Sequence, residues 1–226
     1  MLRGHVVFSQ AEFRLGEEVQ HDAGIVRVEP HRHRDRLQRL APESTPMIVG
    51  PLRMPENGVV CLKGNHEDIM WQCCRQPIKA GWWMDNGGGA TLISYGQNYG
   101  EIVNVKVVPE QHLRWIEALP LMHVDRHRVY VHAGVDPDLP LAAQDPDQLL
   151  WKIYKGPDQR GHGTRHIVHG HHQFRDGPVT IEGRTNLDTQ AWYTGRLVIG
   201  VFDDEVAGGP VSLLEVHGEP VESKKK

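Results

Sequence analysis

The chain has 226 residues, 39% of them hydrophobic, with 25 Lys plus Arg against 29 Asp plus Glu and a net charge of −4. These values describe one ordinary globular core and give no electrostatic reason to expect nucleic acid or an anionic membrane as a partner. No run approaches the roughly 18 apolar residues of a spanning helix, no signal-peptide pattern opens the chain, and Cys61 with the adjacent Cys73 and Cys74 suits a reducing, cytoplasmic setting better than a disulfide framework.

Residues 1–50 have a texture of their own: "GIVRVEPHRHRDRLQRLAPESTP" mixes Arg, His and Pro without a sustained period, and no Lys precedes Lys63. Val6–Phe8 and Ile25–Val28 are short apolar pieces of strand character. The texture changes near Pro51. Val59–Leu62 predicts an interior strand, and Glu67 to about Gln76 a helix stopped by Pro77. "WWMDNGGGATLISYG" (82–96) reads as a Gly-rich loop followed by an apolar run. "VPEQHLRWIEALP" places Pro109 at a helix start, Leu113, Ile116 and Leu119 at helical spacing, and Pro120 as the stop. "RVYVHAG" (128–134), "RHIVHGHH" (165–172), "GRLVIGVFDD" (195–204) and "VSLLEVHG" (211–218) then predict strands, and residues 218–226 a polar tail. Strands with intervening helices predict a layered α/β or α+β fold.

The chain holds 15 His, and several follow strands directly. Val59–Leu62 delivers Asn65 and His66, Val129–Val131 delivers His132, and Ile167–Val168 delivers His169, His171 and His172. A lone His after a strand usually packs at a core edge, and Gly-Asn alone makes a turn and a helix cap. Three strand ends carrying imidazole or amide donors in one chain raise a different expectation, because rigid sheets project loop side chains toward common points.

"GNHE" (64–67), "HAG" (132–134) and "VHGHH" (168–172) resemble the calcineurin-like metallophosphoesterases, and within them the bacterial serine/threonine phosphoprotein phosphatases. "NLDT" (186–189), "GRL" (195–197) and the segment "NGGGATLISYG" are similar to the same group, so the resemblance spans residues 51–217. It implies two mixed β-sheets packed as a sandwich with helices outside, and two metal ions, Mn most often, otherwise Fe or Zn. It further implies hydrolysis of phosphoserine or phosphothreonine by attack of metal-bound hydroxide. Two cations about 3.5–4 Å apart acidify bridging water and clamp phosphoryl oxygens, and imidazole and carboxamide donors suit those metals.

Residue by residue, the resemblance makes Asn65, His132 and His171 ligands of one metal and His66 the general acid that protonates the leaving alkoxide. His169 is expected in strand-end packing or behind the ligands, and Asp188 in a loop brace. The family commonly places an Arg two residues past the Trp of "LLW"; this chain reads Trp151, Lys152, Ile153, so Lys152 is either a substitute point charge for phosphate or an ordinary exposed lysine.

Two family motifs are missing upstream of Gly64: Gly-Asp-x-His-Gly, and the Gly-Asp-x-x-Asp-Arg-Gly that supplies the bridging Asp. "HDAG" (21–24) and "HRDRL" (33–37) offer Asp22 and Asp35 as poor substitutes. One metal position therefore keeps three donors, and at most one ion is supported. The joint loss of both motifs with the texture change points to a misread frame over residues 1–50, and to a sheet deprived of its first two strands with exposed edges. The expected partner is a phosphorylated protein or small phosphoester. Two other functions remain open: a phosphatase-like module that binds phosphoproteins without turnover, and hydrolysis of dinucleoside polyphosphates.

Overall fold

The computed structural model describes residues 4–8, 24–28, 59–76, 80–98, 100, 102–155 and 160–218. Two five-stranded sheets organise them. The first runs in the order β10 (Ser212–His217), β9 (Arg196–Asp203), β1 (Gly4–Phe8), β2 (Gly24–Val28), β3 (Val59–Cys61), and every pairing in it is antiparallel. The second is mixed: β4 (Met122–Val124), β5 (Arg128–Val131), β6 (His166–His169), β8 (Arg184–Asn186), β7 (Val179–Ile181), with β5, β6 and β8 parallel.

Leu62, Tyr130, Val168, Leu187, Val198 and Phe202 form the core between the sheets. Val129, Val131, Val135, Leu149 and Ile167 pack on the other face of the mixed sheet, beneath helix α5 (Pro146–Trp151). Successive residues of β5 and β6 thus serve opposite faces, as the two-residue strand period requires, and both strands are buried throughout. A third cluster unites helix α1 (Asn65–Arg75), α2 (Ala80–Asp85), α3 (Gly88–Ser94) and α4 (Glu110–Ala118) around Ile69, Cys73, Trp83, Leu92 and Ile116. The short α6 (Ala191–Thr194) precedes β9.

Two expectations need correction. The segment 82–96 is not a loop with an apolar run but the helices α2 and α3. Gly87 reverses the chain between them at φ +87°, and a Cβ on Gly88 would come within 2.7 Å of the Trp83 ring, so the glycines permit close packing. The antiparallel sheet is also not deprived of two strands. Val6–Phe8 and Ile25–Val28 lie in β1 and β2, which pair with each other and fill the interval between β9 and β3. Backbone pairing needs only a short extended run, which each segment supplies without the missing motifs. Asp22 and Asp35 lie outside the described residues. Among the described residues no helix is long and apolar enough to cross a membrane.

Candidate functional site

The site lies where β3, β5 and β6 end. Beyond β3, Leu62 enters the core between the sheets and the Lys63 amide donates to the Pro120 carbonyl at 2.9 Å, fixing the direction in which the chain leaves the strand. Gly64 caps α1, and its amide donates to the Glu67 carboxylate at 3.0 Å, the reach-back half of a capping box. Asn65 is therefore locked at the first helical position and His66 at the next. Asn65 is buried and His66 half-buried.

His132 stands one residue past β5. By alternation it shares the inter-sheet side with Tyr130, and it is 1% exposed. His171 stands two residues past β6. The Gly170 amide donates to the His132 carbonyl at 2.9 Å, extending the parallel pairing to the strand ends. These constraints bring three of the anticipated residues together: His132 Nε2 lies 2.9 Å from Asn65 Oδ1 and 3.2 Å from His171 Nδ1. Donors each about 2.0–2.2 Å from a shared cation stand roughly 3–3.4 Å apart, so the spacing suits one ion as well as direct hydrogen bonding.

The conformation of His171 is unusual. Its φ is +63°, a region that costs a non-glycine residue about 1–2 kcal/mol and that only surrounding structure can hold. The His172 amide donates to the Gly170 carbonyl at 2.7 Å, closing a tight turn, and the Trp151 ring meets His171 edge-on with centroids 5.8 Å apart. Trp82, 42% exposed, stacks on Trp151 at 5.5 Å, so an aromatic row runs from the surface to the site.

Burial pushes His132 down to about 4, with the nearby Glu67 carboxylate opposing the shift and His66 adding to it. His132 is thus neutral at pH 7, as a metal ligand must be. His169, on the opposite face of the sheet, is pushed down to about 3, first by burial; its Nδ1 hydrogen bonds the Gly170 carbonyl at 3.0 Å, and Arg184 lies 3.2 Å from its Nε2. Both ring nitrogens are engaged, and His169 is buried at the end of β6.

Asp188 is buried, and its side chain closes a turn within its own loop while its backbone bonds the neighbouring loop. Its Oδ1 accepts from the Gln190 amide at 2.8 Å and its carbonyl from the Phe174 amide at 3.0 Å, joining the loops after β6 and β8. Lys152 sits beside the "HAG" loop. A Cβ on Gly134 would come within 2.8 Å of the Lys152 stem and 2.7 Å of Tyr154, and the ammonium lies 5.1 Å from the Tyr154 ring centroid. Lys152 borders the cluster without bonding to the three donors.

The donor set is two imidazoles and a carboxamide. Among the described residues no group of three or more His, Cys, Asp or Glu side chains is placed to hold a metal ion, so no carboxylate completes the cluster. The three residues fit one cation through neutral donors. Sequence reasoning did not single out Trp82, Tyr154 or Arg184. The adjacent Trp82 and Trp83 carried a signal, since paired tryptophans before a glycine turn rarely both fit a core; Arg184, one charge in a three-residue strand, carried none. The chain matches no protein-family model and no curated protein.

Proposed function

We propose that the chain is a metal-dependent phosphoesterase of the calcineurin-like kind, acting on phosphoserine or phosphothreonine in proteins. The observation that carries this reading is the convergence of Asn65 Oδ1, His132 Nε2 and His171 Nδ1 from three separate strand ends. A bound Mn, Fe or Zn ion would supply Lewis-acid polarisation of a phosphoryl oxygen and a water of lowered pKa. Asn65, His132 and His171 would hold that ion. His66, next to Asn65 on the same rigid helix start, donates a proton to the leaving alkoxide oxygen, a contribution of about 10²–10⁴ in rate. Lys152 adds positive charge at the border of the site, and the dianionic substrate brings the negative charge that the donor set lacks. Cys61, Cys73 and Cys74 are free thiols, which supports a cytoplasmic location.

A second reading, a phosphatase-like module that binds phosphoproteins without turnover, is favoured by one observation: no carboxylate joins the three donors among the described residues. Release of p-nitrophenol from p-nitrophenyl phosphate with added Mn²⁺ tests the first reading. Retention of a phosphopeptide without hydrolysis selects the second, and cleavage of diadenosine tetraphosphate in preference to phosphopeptides would reassign the substrate.

A further inference from the structure

We propose that Arg184 is a positioning residue: it fixes the tautomer of His169 and, through the Gly170 carbonyl, holds His171 in the left-handed conformation that turns its Nδ1 toward His132. The metal arm of its test rests on the function proposed above; the tautomer arm does not.

The Gly170 carbonyl can only accept. It lies 3.0 Å from His169 Nδ1, so that nitrogen carries the ring proton. A neutral imidazole then presents a lone pair at Nε2, and Arg184 Nη1, which can only donate, lies 3.2 Å away. His169 is 2% exposed and Arg184 7%, so water is a poor substitute for either partner. The guanidinium is itself fixed: its carbon lies 4.3 Å from the Tyr154 ring centroid, and the register sets Arg184 opposite Ile167, diagonal to His169. Tyr154 is anchored in turn, its hydroxyl accepting from the Val135 amide at 3.3 Å.

The same Gly170 carbonyl accepts from the His172 amide, so it is the hinge of the turn that keeps His171 at φ +63°. Without a donor at Nε2 the ring proton is free to move there. The Nδ1 lone pair would then face the carbonyl lone pairs, and the turn would lose one of its two bonds at that oxygen. The bond from Arg184 to His169 Nε2 is the route by which its effect reaches the turn at His171.

The test is side-chain ¹⁵N–¹H NMR of the full chain, with calorimetric Mn²⁺ titration alongside. His169 in the wild type is expected in a single Nδ1–H form. In Arg184→Met, which keeps the length and removes the donor, Nε2–H becomes populated and the backbone couplings of His171 depart from positive φ. Mn²⁺ affinity falls about 10–100-fold in the same variant, while Arg184→Lys, which retains a donor, recovers part of it. An Nε2–H form in the wild type overturns the proposal, as does Arg184→Met with unchanged tautomer or with a changed tautomer and unchanged His171. If Arg184→Met does not fold, the wild-type tautomer decides. A wild type that binds no Mn²⁺ counts against the metal reading only, and the NMR arm still decides this one.

Discussion

The two sheets of this protein are equal in strand number and unequal in what they do. In the mixed sheet β5, β6 and β8 are parallel and buried on both faces, and their C-terminal ends deliver His132, His171 and the Asp188 brace to one side of the molecule. In the antiparallel sheet neighbouring strands end at opposite edges, and β10 is exposed along its whole length, including Leu213, Leu214 and Val216. That sheet contributes one strand end, β3, and with it Asn65 and His66. Parallel strands aim all their ends at one place, whereas antiparallel strands divide theirs.

The contrast can be broken most sharply at His66. His66→Asn should lower kcat on a phosphoserine peptide by about 10²–10⁴ and on p-nitrophenyl phosphate by less, because the better leaving group needs less protonation. Equal losses on both substrates would remove His66 from the acid role and leave the antiparallel sheet with Asn65 alone.

Packing gives the next largest effect. Ile167, 0% exposed on β6, should cost about 2–5 kcal/mol on substitution by Ala in urea unfolding. Leu213→Ala on β10, where the side chain is 43% exposed, should stay within about 0.5 kcal/mol. Similar costs at the two positions would mean that the sheets share the structural burden.

Acid has the smallest expected effect. His132 and His166 are pushed down to about 4 and His169 to about 3, in each case first by burial, and all three belong to β5, β6 or their ends. Their folded pKa values lie below the unfolded value, so the unfolded chain binds more protons. The stability they represent is complete above about pH 6.5 and is lost as pH falls through about 4. Melting temperature should therefore decline over that window. His166→Gln, which removes the imidazole bonded to the Thr185 hydroxyl at 2.8 Å, should lower the slope by about one proton. A melting temperature independent of pH from 6.5 to 4 would contradict neutral burial of these rings.

Much of this was legible in the sequence because it rests on local patterns. The apolar runs at 59–62, 128–131 and 196–203 became β3, β5 and β9, and Pro109 and Pro120 bracket α4. Asn65, His132 and His171 stood out as a set only through the family resemblance; the strand-end pattern alone also offered His66, His169 and His172. What escaped was decided by tertiary contact. The glycines at 87–89 read as a loop, but Gly87 supplies the positive φ of a turn and Gly88 packs closely against Trp83 and Met84. The strands β7 and β8 are three residues each, too short for a period to declare itself. Arg184 acquires its meaning only from a register that sets it diagonal to His169.

Calorimetric titration of the full chain with Mn²⁺ decides whether three strand ends build one cation site. One weak site per chain is expected, lost in His132→Ala because that imidazole touches both other donors. No binding in the wild type, or binding undiminished in His132→Ala, would contradict it.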